Sequence, residues 1–429
     1  MEHSRLARKV SKRVKKVRRF AWFDFEPMSV AVNNQRCQKI LDLTPEHRQF
    51  YPRPLFHGRQ PNDPVPEVAG KPVAPIALTH HQNVHVVTGS NYILHDKTLV
   101  HPDLHLPSRD RSPLELYARC SIDERSFSRI RIPRGILLGE IDRAINLCDQ
   151  TTQNYAHWIT EVLPKLALLN EQPEWRGMPI MVDSHSGRNL IESLVAAYPS
   201  ASGIIRVAPY ERIFVRNLYN VSPTSYCPHE FRDFYGAQKS GFQFFFSGWA
   251  LNALRRQLRK YYSQYDALPP RKLYLKRTAL WTHNNRNITN IEQIEDLLHS
   301  KGVELLNVTG MTFAEQARMF MNARLIVAPT GAALANMIFA PEGCRVIVMS
   351  ATYDGATYEY FHWIAHLLGH RLTFVVGPQV ENIDYHMNRD YVIDINDLKL
   401  ALEDAGGLLP SERALATPVR AAETLLPTS

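Results

Sequence analysis

The chain has 429 residues, of which 45% are hydrophobic and 21% charged. That balance fits two or three folded domains and excludes global disorder or a fibrous repeat. The net charge of +8 sits in residues 1–20, which hold nine Lys or Arg and one acid; 41 basic and 41 acidic residues share the rest. A basic nucleic-acid-binding face on the body is therefore not expected. No apolar run reaches transmembrane length, and no apolar h-region follows the basic start, so neither a spanning helix nor a secretory signal is expected. Five scattered cysteines (Cys37, Cys120, Cys148, Cys227, Cys344), none in C-x-x-C, fit reduced thiols in a cytoplasmic protein.

Residues 1–23 read as a basic amphipathic arm. Leu6, Val10, Val14, Val17 and Phe20 recur at steps of four and three, forming one apolar stripe on a helix. Ala21-Trp22-Phe23 extends it with interfacial aromatics. Such an element suits peripheral attachment to an anionic membrane; the alternative is a solvated arm that touches RNA without specificity. Residues 24–75 read as an irregular connector, because eight prolines fall between Pro45 and Pro75.

Residues 76–262 read as a first α/β domain. Expected strands are Val84–Thr88, Gly135–Leu138, Pro179–Val182 and Ile213–Tyr219; expected helices are Tyr155–Leu169, Asn189–Ala197 and Trp249–Tyr261. A linker, Tyr262–Pro270, leads to a second domain over 271–405, followed by a tail over 406–429. The second domain alternates strictly. Strands Arg271–Lys276, Val303–Val308, Arg324–Ala328, Arg345–Met349 and Arg371–Val376 are separated by helices Ile291–Ser300, Thr312–Asn322, Gly331–Phe339 and Thr357–Leu368. A final helix runs to about Ala405. This order requires βαβ crossovers and a parallel sheet. Two α/β domains in series place a cleft between the carboxyl ends of their strands.

Three segments carry candidate chemistry. Thr330-Gly331-Ala332-Ala333 turns from a buried strand into a helix, whose free N–H groups suit a phosphate; a plain turn with small residues is the alternative. Arg277 leaves the end of the first strand of its domain and Arg286 follows in a polar loop, so the two can clamp a diphosphate or simply be solvated. Lys276 alternates to the other side. Asn154, His157 and Glu161 fall within about 60° on one helical face, beside Trp158. His157 and Glu161 at i, i+4 can be an ion pair, a general-base unit or, without a third ligand at matching spacing, a metal pair. Pro164 removes the hydrogen bond to the Thr160 carbonyl and should kink this helix. No D-x-D, G-x-S-x-G, P-loop or H-E-x-x-H is present.

Asn154-Tyr155-x-His157-Trp158-x-x-Glu161, Tyr274-Leu-x-Arg277 and Gly331-Ala332-x-Leu334-Ala335-Asn336-x-Ile338-Phe339-Ala-Pro341-x-Gly343, in this order, resemble glycosyltransferase family 61. That family includes bacterial capsular polysaccharide biosynthesis proteins. The resemblance covers roughly residues 135–376. It implies a GT-B fold of two facing Rossmann-like domains, a nucleotide-sugar donor, a glycan or lipid-linked glycan acceptor and inversion at the anomeric carbon. It implies no D-x-D metal site, and no cofactor is expected. Glu161 and His157 are then the catalytic pair, with Asn154 and Trp158 on the acceptor side. Arg277, Arg286, Thr330, Gly331 and Ala332 line the donor side; Glu359, outside these motifs, can accept a hydrogen bond from a donor hydroxyl or be a solvated helix residue. Thr330 stands where family members commonly carry His, and a threonine cannot supply charge. That departure leaves open a non-catalytic glycan-binding or scaffold protein on a decayed transferase fold.

Overall fold

A computed structural model describes residues 20–61, 65–110, 120–133, 137–184, 188–227, 245–277, 286–354, 356–380 and 388–406. The first nineteen residues of the arm and nearly all of the tail lie outside them. Within the described residues the fold is mixed α/β, built on two large sheets.

The first sheet is mixed. Ile204–Val207, Ile180–Asp183, Leu137–Asn146 and Arg212–Val221 lie parallel in that order. The sheet continues through antiparallel Ala77–Val87, Ile93–His95 and Thr98–His101. Phe20–Pro27 then adds in parallel and Arg129–Pro133 antiparallel. Leu137–Asn146 extends well beyond the expected Gly135–Leu138.

The second sheet is wholly parallel. Its order is Glu304–Leu306, Arg271–Leu275, Ala323–Pro329, Arg345–Thr352, Arg371–Pro378, Leu55–Gly58. Leu325–Pro329 and Val346–Met349 are buried at every position, as strands covered on both faces must be. Thr312 and Glu315 close the expected capping box at the start of Phe313–Phe320.

Two expectations for the N-terminal part need correction. Residues 20–23 belong to a strand and not to a helical arm. The stretch 24–75 is not irregular: it contains a short helix, Met28–Asn33, and strands Gln38–Asp42, His47–Tyr51, Leu55–Gly58 and Val68–Val73. Among the described residues the prolines punctuate these strands or sit in peripheral ones, where a missing N–H does no harm. Leu55–Gly58 even supplies the last strand of the second sheet. Gly58 ends it at φ +76°, and an added Cβ would lie 1.9 Å from Asp397 Oδ2, so any other residue would strain the backbone and push the Asp397 side chain aside.

One hydrophobic cluster runs from Trp158, Leu166 and Leu194 through Leu254 and Leu258 to Phe313, Phe339 and Phe374. The helix Gly248–Tyr261 is its hinge pin. Ser247 caps it by accepting from the Ala250 N–H, and Ala250, Leu251, Ala253, Leu254 and Leu258 form its buried stripe. The expected linker is anchored as well: Tyr262 is buried against Tyr265, Phe313 and Phe339.

Candidate active site

In the second sheet, numbering strands within 271–378 gives the order 2-1-3-4-5. Its switch point lies between Arg271–Leu275 and Ala323–Pro329, where neighbouring crossovers leave in opposite directions and open a crevice at the carboxyl ends. Arg277 follows the first of these strands and Thr330 the second. Arg277 Nη1 donates to the Thr330 carbonyl at 2.9 Å, bridging the switch point. Burial lowers the Arg277 pKa, opposed by the Tyr391 hydroxyl. The charge is thus held in a poorly solvated place, where an anion would be attracted most strongly.

Arg286 joins this group through its loop. Its backbone adopts φ +42° and its N–H donates to the Asn388 carbonyl at 3.1 Å. Asn287 N–H donates to Asp390 Oδ1 at 2.7 Å, and Asn290 brackets Ile393 with two hydrogen bonds of 2.7 and 3.2 Å. Burial raises the Tyr391 pKa, while Arg277 and then Arg286 pull it down. Both arginines therefore act on one buried phenol. Gly377 admits this bracing segment, since a Cβ there would stand 1.6 Å from the Val392 carbonyl oxygen. Lys276 does point away, pairing with Glu295 at 3.0 Å.

The Thr330 turn differs from the helix expected over Gly331–Phe339. Gly331 is extended, and Ala332–Phe339 is a 3₁₀ helix. A Cβ on Gly331 would touch Arg277 Nη1 at 3.5 Å, an ordinary contact. Thr330 and Gly331 are half-buried and Ala332 is exposed, so the turn faces outward beside Arg277. Glu359 begins the helix Glu359–Leu367, and its carboxylate accepts from the Tyr358 N–H at 2.9 Å. This satisfies a helix terminus, a local role that the sequence reading did not assign to it.

The helix expected over Tyr155–Leu169 is present in three parts: Tyr155–His157, a π segment at Trp158–Val162, and Leu163–Asn170. Pro164 explains the break, and the structure shows how the loss is repaired. Ser225 Oγ donates to the Thr160 carbonyl at 3.0 Å and Thr224 Oγ1 to the Glu161 carbonyl at 3.1 Å. The hydroxyls replace donors that a proline-broken helix lacks.

His157 Nδ1 bonds Glu161 Oε1. The His157 side chain is 2% exposed and that of Glu161 14%, so the carboxylate is the more accessible of the two. Two other residues on this stretch have structural roles of their own. Asn154 is exposed and caps the helix by accepting from the Ala156 N–H at 3.0 Å. Trp158 is fully buried, with its indole N–H donating to Ser193 Oγ at 2.7 Å, so it is core and not cleft wall.

Residues missed in the sequence join the two groups. The Tyr155 hydroxyl donates to Asn336 Oδ1 at 2.5 Å, and Asn336 Nδ2 to Gln316 Oε1 at 2.9 Å. Tyr360, next to Glu359, lies 3.0 Å from Thr160 Oγ1 and edge-on to the His157 ring at 5.6 Å. Tyr155 and Asn336 stood inside the quoted motifs, but no periodicity links residues 181 apart. Among the described residues no group of three or more His, Cys, Asp or Glu could hold a metal ion.

Residues 155–347 match the model of a protein family described as Glycosyltransferase 61. No curated protein matches the chain. The matched span runs from the His157–Glu161 helix through Arg277 and the Thr330 turn to the Arg345–Thr352 strand.

Proposed function

We propose, from the match of residues 155–347 to the glycosyltransferase 61 family model, that the chain transfers a sugar from a nucleotide-diphosphate donor to a hydroxyl of a glycan acceptor, with inversion. The arrangement that carries this reading is the Arg277–Thr330 bridge across the switch point of a wholly parallel sheet. An open α/β sheet binds ligands there. The paired arginines supply the charge that a diphosphate needs as it leaves, in place of a D-x-D-bound cation. GT-B architecture, with this sheet as the donor half and the first sheet as the acceptor half, is part of the proposal.

Inverting transfer needs one base to remove the acceptor proton as the hydroxyl attacks the anomeric carbon. We assign that role to Glu161. Its carboxylate is the more exposed member of the pair, and buried His157 bonds it from behind. His157 then orients the carboxylate. The tie from Tyr155 to Asn336 holds this helix against the 3₁₀ helix that follows the Thr330 turn. Capsular or exopolysaccharide synthesis on the cytoplasmic side is the setting that this chemistry suits.

Thr330, where charge is commonly found, supports the second reading of a binding protein without turnover. A thermal-shift screen of nucleotide sugars, followed by donor hydrolysis and transfer assays, separates the two. A stabilising nucleotide sugar that is consumed supports the transferase. One that binds but is never consumed, with any acceptor or with water, supports the second reading. EDTA should leave turnover unchanged; metal-specific loss would refute the metal-free mechanism.

A further inference from the structure

One end of the first sheet carries a surface that sugar transfer does not use. Along Phe20–Pro27, Phe20 and Trp22 are 43% and 44% exposed, while Phe23 and Phe25 point inward. On the antiparallel neighbour Arg129 and Arg131 are exposed and Ile130 and Ile132 buried. The Arg131 guanidinium lies 4.5 Å from the Phe20 ring centre and that of Arg129 5.6 Å from Trp22. Phe20 pairs with Pro133, whose carbonyl accepts from Arg212, and Arg212 pairs in turn with Leu137. Immediately before Phe20 in the sequence come nine Lys or Arg, with Leu6, Val10, Val14 and Val17 among them.

We propose that this face, led by Phe20 and Trp22 and flanked by Arg129 and Arg131, seats on an anionic lipid bilayer. The aromatic rings enter the boundary between headgroups and acyl chains, and the guanidiniums meet lipid phosphates. An anionic polysaccharide or RNA would engage the cations and the rings, but the aliphatic residues that precede Phe20 in the sequence call for an apolar partner. Every partner residue lies outside the candidate active site, so the proposal stands independently of the transfer reading.

The test is co-sedimentation of the full chain with phosphatidylcholine vesicles with and without phosphatidylserine. The full chain should bind only the anionic vesicles. Phe20→Ser/Trp22→Ser, with the basic residues intact, should lower partitioning about tenfold or more, and so should Arg129→Gln/Arg131→Gln. Circular dichroism checks that both remain folded. Should the aromatic variant misfold, Trp22→Phe should still bind but lose the part of fluorescence quenching by brominated lipid that wild type shows. Wild-type partitioning by the aromatic variant, or unchanged quenching in Trp22→Phe, overturns the proposal. So does binding to RNA or to an anionic polysaccharide without binding to vesicles.

Discussion

Arg277 is the residue on which the proposed donor side turns. It reaches the Thr330 carbonyl with one arm of its fork, in a place where burial disfavours its charge. Arg277→Ala should therefore weaken nucleotide-sugar binding by about 1.5–3 kcal/mol, the range for a hydrogen bond to a charged group. Arg277→Lys should recover only part of it, because a point charge cannot both bridge to Thr330 and grip phosphate. Titration calorimetry with the stabilising nucleotide sugar measures both; wild-type affinity in Arg277→Ala would remove it from the site. Glu161→Gln should keep donor affinity and lower single-turnover transfer by about 10²–10⁴, with His157→Ala lowering it less. The reverse order would make His157 the base. Arg277 and the His157–Glu161 pair were legible in the sequence, one from its place after a strand and the other from helical spacing. Asn154 caps that stretch and Trp158 is buried in it, and spacing foretold neither, because it says which face a residue lies on and not whether a cap or a core will claim it.

Among the elements, the broken helix over 155–170 shows how far local rules reach. Pro164 announced the break, and its missing N–H is a certainty of covalent structure. That Ser225 and Thr224 would arrive to satisfy the Thr160 and Glu161 carbonyls depends on chain more than sixty residues away. Ser225→Ala leaves a buried carbonyl without that donor and should destabilise the fold by about 1–3 kcal/mol in urea unfolding. Tyr155→Phe removes the bond to Asn336 and should cost about 0.5–1.5 kcal/mol. Asn336→Leu strands both Tyr155 and Gln316 and should cost more. Equal stability of Asn336→Leu and wild type would show that the tie contributes nothing. The same limit explains the connector. Eight prolines forbid helix, yet short peripheral strands tolerate them, and what recruits Leu55–Gly58 is the open edge of Arg371–Pro378. The strict alternation after residue 271, by contrast, needed no distant partner to be read.

Over the whole molecule, buried histidines give the fold an acid limit. Burial pushes His81 and His105 down to about 3 and His95, His101, His362 and His370 down to about 4, from a usual value of 6.5. The unfolded chain therefore binds more protons than the native one between about pH 6.5 and 4. Stability from these groups is complete above 6.5 and is lost as pH falls through that window. Asp183 works the other way: burial raises it to about 7, so its contribution falls as pH rises from about 4 toward 7. Six groups outweigh one, and the melting temperature should fall steeply from pH 7 to pH 5. A flat profile would mean that the histidines are protonated in place.

The edge strand Leu55–Gly58 is made more than three hundred residues before its partner Arg371–Pro378. A ribosome therefore releases the first sheet while one short strand beside it still lacks a neighbour. Nascent chains must keep that strand from pairing elsewhere until the last crossover is complete, a period in which chaperone capture is most valuable. For the same reason residues 271–406, produced without the rest of the chain, should not behave as a free-standing module. Made alone, they would present the unpaired side of Arg371–Pro378 to one another and associate edge to edge. Supplying residues 45–75 in trans, as a peptide, should lower that edge-to-edge association, while the face of Phe313 and Phe339 that Tyr262 covers in the whole chain stays bare.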